Sequence, residues 1–254
     1  MKSLEEIYDE LNGLIWENRW EEIEPYLEAR MEEAKEEEAY GLYVAAGNEL
    51  LSFYRQSGQY DKAFAVSEDI LLLMEELNLE DTEHFALVLM STGAAYEGAG
   101  RKKEAERCYE RAARILEGKK KEEGLLAEAL TRQALLILSD EKEAERAEEL
   151  LSRAAALYEE NGKDRTDGEK DPSEGQAEVY YLTALSGLGE AAWRRGDWER
   201  ALACYEKAAE KSFALTGASE GTRLFWKNCA AVCANLKDAE KEAHYRALAG
   251  GNAS

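Results

Sequence analysis

The side chains able to do chemistry in this chain are few and widely spaced. It holds two histidines, His84 and His244, and four cysteines, Cys108, Cys204, Cys229 and Cys233. Nucleophilic catalysis needs a nucleophile within hydrogen-bond reach of a base, and the two histidines lie too far apart in the repeat pattern described below to assemble one. Cys229 and Cys233 stand one helical turn apart and could share a soft metal. A structural zinc takes four ligands, so the pair is read as packing residues. The stretch DRTDGEKDPSE resembles a calcium loop only in composition. Aligning that motif's glycine with Gly168 puts Lys163 and Arg165 where carboxylates must stand. There is no HExxH, no GxxxxGK[ST] and no GxGxxG behind a strand. Paired carboxylates are so numerous that none is singled out. The expectation is a non-enzyme with no cofactor and no metal.

Composition narrows the partners. Apolar residues make up 45% of the chain and charged ones 34%, as in an ordered globular protein. No apolar run approaches the roughly 20 residues a membrane helix needs. The opening MKSLEEIYDELNGLIW carries acids where a signal peptide has a basic end and an apolar stretch. A cytoplasmic protein is expected, without membrane attachment. Thirty-two Lys and Arg against 54 Asp and Glu give a net charge of −22. Such a surface repels phosphate backbones over a Debye length of about 10 Å. No nucleic acid partner is therefore expected, and a basic or neutral partner fits better.

The elements that must position any site are helices, because alternating β-branched runs are almost absent. GAAYEGAGRKKEAERCYERA, residues 93–112, returns as GEAAWRRGDWERALACYEKA, residues 189–208. Aligning the small residue that opens the inward face of each second helix gives Ala63, Ala105, Ala147, Ala201 and Ala243, with Ile23 in a degenerate first copy. Four of the five steps between these positions nearly agree, and the step from Ala147 to Ala201 is longer. That step holds a polar surplus, read as a loop insert at 161–175. Gly58, Gly100 and Gly196 mark turns between paired helices. The pairs fall near 3–17/20–37, 40–57/60–77, 82–98/101–117, 122–138/142–160, 173–195/198–213 and 219–236/238–249, with a disordered tail at 250–254.

These units resemble tetratricopeptide (TPR) repeats. The family pattern reads Leu89, Thr92-Gly93, Tyr96, Gly100, Ala105, Tyr109, Ala112 in the third unit. In the fifth it reads Leu185, Leu188-Gly189, Ala192, Gly196, Ala201, Tyr205, Ala208. A step of roughly 42 residues, against about 34 in the usual repeat, is similar to the extended subclass found in kinesin light chains and in many bacterial regulators and scaffolds. The resemblance implies an all-α fold: an α-solenoid, a right-handed superhelix of about six helical hairpins forming one domain over 1–254. Gly93, Gly189 and Ala231 are expected where the helices of one hairpin cross closely.

The resemblance also implies a function, a protein-protein interaction scaffold that holds a peptide segment of another protein in a concave groove lined by the first helix of each hairpin. On the shared frame the groove slots hold Tyr8 and Asn12, then Asn48, Ser52 and Arg55. Met90, Ala94 and Glu97 follow, then Arg132, then Ser186, Glu190 and Trp193, and finally Asn228 and Asn235. Asn can donate to and accept from a peptide backbone together. Arg55 and Arg132 could grip a carboxylate with a two-pronged fork, and Trp193 could anchor an apolar group. The Lys-and-Asn clamp that some family members use on chaperone tails is missing from these slots. The alternative is a regulatory or sensor protein that takes a signalling peptide and changes conformation.

Overall fold

The structure, a computed structural model, describes residues 2–161 and 173–250. Most of the insert read at 161–175 and the last four residues of the tail lie outside the described residues. Within them the chain is all-α, an α-solenoid built of helical hairpins, with twelve α-helices and no strand. It divides into two compact units, residues 1–117 and 118–254.

The first unit holds α1 (Leu4–Trp16), α2 (Trp20–Glu36), α3 (Tyr40–Gln56), α4 (Tyr60–Glu76), α5 (Glu83–Gly98) and α6 (Lys102–Leu116). Each helix packs on the next, and α3 also touches α1 and α5, which places the first helices of its three hairpins side by side. The second unit opens with a 3-10 turn (Lys120–Glu122). It continues through α7 (Glu123–Ile137), α8 (Ala144–Asn161), α9 (Ser173–Arg194), α10 (Trp198–Thr216), α11 (Glu220–Leu236) and α12 (Ala239–Leu248). Here too successive helices pack, and α7 touches α9.

Local signals start and stop these helices. Ser3 and Glu6 form a capping box on α1, in which each side chain satisfies the other residue's free amide. Thr82, Asp197, Ser219 and Asp238 cap α5, α10, α11 and α12. Gly58, Gly100 and Gly196 all turn with φ between 73° and 75°, the left-handed geometry that ends a helix with least strain when no Cβ is present.

Close helix crossing explains the small residues. A Cβ on Gly93 would lie 2.7 Å from the Tyr109 ring, and one on Gly189 would lie 2.6 Å from Tyr205. Ala63, Ala105, Ala147 and Ala201 are fully buried on the second helices. Tyr109 is itself fully buried, and its hydroxyl donates to Glu97 Oε2 at 2.9 Å.

The sixth hairpin departs from the expected frame. Its left-handed residue is Lys237 (φ 59°), one position earlier than the spacing from Gly58 to Gly100 would place it after Gly196. Ala231 and Ala243 are accordingly exposed, while Ala230, Cys229, Val232 and Cys233 face inward. The expectation for Ala231 is therefore corrected: Ala230 takes the place equivalent to Gly189. A lysine at positive φ is strained relative to glycine. Lys237→Gly is expected to raise stability by about 0.5–1 kcal/mol, read as a higher midpoint in urea unfolding. An unchanged or lower midpoint would refute that reading of the turn.

Candidate functional site

The slots predicted from the sequence have different fates. Of those in the first unit, two converge. Tyr8 of α1 and Asn48 of α3 line one cleft of about 710 Å³ together with residues of α5. One helical turn before each of them stand Leu4 and Val44, which line the same cleft. Tyr40, Ala45, Leu79, His84, Leu87 and Val88 complete a mostly apolar wall. Leu4, Tyr8 and Leu87 are about two-fifths exposed, so this apolar surface faces solvent. Asn48 Oδ1 is buried and accepts no hydrogen bond. A buried carbonyl without a donor costs roughly 1–3 kcal/mol, so a ligand donor arriving there would gain more than at an already paired oxygen.

A carboxylate follows that acceptor in the chain and acts on Tyr8. Glu49 is half-buried, and burial raises its pKa above the usual 4.5. Tyr8 is pushed up as well, first by burial and then by the charge of Glu49. The sign follows from linkage. A carboxyl whose folded pKa exceeds its unfolded one holds its proton more tightly when folded, so it favours folding at low pH and costs stability once ionised. Glu49→Gln is therefore expected to stabilise the protein at pH 7, with the gain shrinking to nothing below pH 4.5. Thermal midpoints at pH 7 and pH 4 check this, and a gain of equal size at both would contradict it.

The other slots are not brought into this cleft. Asn12 lies on the exposed face of α1, and Ser52 and Arg55 are half-exposed farther along α3. Met90 is core rather than groove, at 5% exposure, and Glu97 is held by Tyr109. In the second unit Arg132 is tied to Glu128 at 2.9 Å and to the Tyr180 hydroxyl. Glu190 is paired with Arg194 at 2.6 Å. Trp193 packs edge-on against Trp198, ring centroids 4.9 Å apart. The one-residue shift of the sixth hairpin moves the slots equivalent to Ser186, Glu190 and Trp193 to Lys227, Ala231 and Ala234. Asn228 and Asn235 thus fall one position off, and Asn235 Nδ2 donates to its own helix at Ala231 O, 3.0 Å away.

The cysteines are packing groups. Cys229 and Cys233 are fully buried against Tyr205, Val232 and their neighbours. Burial pushes the Cys229 thiol up to about 12 and the Cys108 thiol up to about 11, so neither is a ready thiolate near neutral pH. Among the described residues no three His, Cys, Asp or Glu side chains cluster as metal ligands, and no helix is long and apolar enough to cross a membrane.

The apolar half of the cleft was not among the predicted slots. Leu4 and Val44 occupy one repeat position in successive hairpins, as Tyr8 and Asn48 do, and that recurrence was a usable signal. Leu79 and His84 carried none, since their place depends on how the α4–α5 connection folds back.

The hairpins and their crossing define a class, an all-α protein built of repeated helical hairpins. Residues 182–212, in α9 and α10, match the family model "Tetratricopeptide repeat". The fold is similar to the crystal structure of BtubC (BKLC) from P. vanneervenii, at 19% identity over 91% of this chain and 89% of that one, with a TM-score of 0.72. It is also similar to the crystal structure of nearly identical TPR-like repeats from Podosopora anserina. That match has 16% identity over 81% of this chain and 92% of that one, and a TM-score of 0.60. Comparison with curated proteins returns no match. TPR-like folds are protein-interaction scaffolds and are typically non-catalytic.

Proposed function

We propose that the chain is a non-catalytic interaction scaffold that holds a peptide segment of a partner protein in a groove lined by the first helices of its hairpins. One observation carries this reading: α1, α3 and α5 turn Leu4, Tyr8, Val44, Asn48 and Leu87 toward one open apolar cleft. Its walls belong to packed helices, so little ordering entropy is lost on binding. Asn12, Ser52 and Arg55 extend the same reading along α1 and α3. Arg132, Glu190 and Trp193 would first have to leave the partners they already have.

The test fills the cleft. Ala45 lines it, and Ala45→Trp introduces a bulk that competes with any occupant. The intact chain is screened on an array of random peptides, and the binders found are re-measured with the variant. Loss of most of their affinity, by about tenfold or more, with unchanged far-UV circular dichroism is the expected result. Binders indifferent to Ala45→Trp would refute the groove.

A further inference from the structure

The cleft also carries information about the kind of segment it takes. Residues 1–117, the unit that builds it, hold 12 Lys and Arg against 28 Asp and Glu, a net charge of −16 out of −22 for the chain. The acids flank the cleft in sequence on each contributing element: Glu5 follows Leu4, Glu38 precedes Ala39, Glu49 follows Asn48, and Glu80 follows Leu79. Two acceptors among these residues are buried without a hydrogen-bond donor, Asn48 Oδ1 and Glu80 Oε2. No Lys or Arg is among the residues that line the cleft. Its one basic residue, His84, has Nε2 3.9 Å from Glu83, which already faces it.

We propose that the cleft binds a basic amphipathic segment of another protein, its apolar side chains filling the space between α1, α3 and α5 and its Lys or Arg side chains meeting Asn48, Glu49 and Glu80. The proposal rests on the groove reading above and narrows it. Apolar area supplies most of the attraction, since the cleft wall is mostly aliphatic and aromatic and apolar surface is driven out of water. The surrounding acids select the sign of charge and speed encounter. The first turns of α3 and α5 also line this end, and a helix N-terminus presents about half a positive charge. That contribution is small beside a net −16 over residues 1–117, so an acidic segment is disfavoured. Glu49 acts on Tyr8, which lines the cleft, and burial raises the pKa of Glu49, a cost that a ligand cation would relieve.

The experiment uses the intact chain and three fluorescent peptides of about 15 residues, long enough to form a helix. All place Leu at positions i, i+3, i+4 and i+7, with Lys, Gln or Glu elsewhere. The Lys peptide is expected to bind about tenfold more tightly than the Gln peptide, the Glu peptide least, and the Lys advantage should shrink in salt. Ala45→Trp should abolish binding of both Lys and Gln peptides. Glu49→Gln with Glu80→Gln should reduce the Lys advantage over the Gln peptide severalfold, and an unchanged advantage would refute contact of the ligand's cations with these two residues. Folding of each variant is verified by circular dichroism. If the Gln or Glu peptide binds as tightly as the Lys peptide and is lost in Ala45→Trp, the basic occupant is wrong and the groove stands. If the Lys peptide ignores Ala45→Trp, its binding is diffuse charge attraction and the proposal falls. If no peptide binds, the groove reading falls with it.

Discussion

Gly93→Val is expected to destabilise the first unit by about 3 kcal/mol, the largest effect expected of any single change. Even the first added carbon would sit 2.7 Å from Cε1 of Tyr109, 3.0 Å from Cδ1 and 3.1 Å from Cζ. The ring has nowhere to go, being fully buried and held through its hydroxyl by Glu97. Helix propensity acts the other way, because glycine inside a helix is about 1 kcal/mol worse than alanine. The clash therefore has to exceed that gain, and the branched side chain gives back part of it. Urea unfolding measures the change as a shift in midpoint at constant slope. Removing the obstacle supplies the control: Tyr109→Ala in the Gly93→Val background should cost less than the two changes added separately, as for groups in direct contact. A Gly93→Val protein as stable as its parent, or strict additivity with Tyr109→Ala, would contradict the crossing geometry.

The second large effect is expected in the other unit. Thr222→Val keeps the shape of a fully buried side chain and removes its hydroxyl. That hydroxyl donates to Gly217 O at 2.8 Å and pairs with Ser212 Oγ at 2.7 Å and Ser219 Oγ at 3.0 Å. Together these bonds fasten the end of α10 to the start of α11 around Gly217, which sits at positive φ. Ser212 is 4% exposed, so water cannot readily replace the lost partner. A buried donor or acceptor left unpaired costs about 1–3 kcal/mol, and about 2 kcal/mol is expected here. Ser212→Ala in the same background should add little, because its partner is already gone. Additive losses would show that the two hydroxyls do not depend on each other. A comparable pair, Ser67 and Thr92 at 2.7 Å, joins α4 to α5 in the first unit.

Residue pattern alone was enough for the all-α class and the hairpin repeat. The reason is that the clearest hairpins reuse the same local rules. A left-handed glycine follows the first helix and an alanine stands five positions later, with a tyrosine four beyond that in the third and fifth copies. Such features need only a few neighbouring residues to be recognised. The one-residue slip in the sixth hairpin escaped because Lys237 takes the place of a glycine there. Ala231 and Ala243 then matched the frame by composition without matching it in space.

Candidate groove residues were legible only where neighbouring copies agree. Tyr8 and Asn48 lie on one face because the first and second hairpins share a register, and the structure brings them to one cleft. Which slots were spent on the protein's own contacts could not be read from spacing. Glu97 meets Tyr109, Trp193 meets Trp198, and Arg132 meets Glu128 and Tyr180. Periodicity states the direction in which a side chain leaves its helix. Whether it then finds solvent, a core or a partner depends on residues brought close only when the helices pack. The sequence by itself therefore determined the helices, their pairing and the acidity of the chain, and only the tertiary structure decided that an apolar cleft opens beside Asn48.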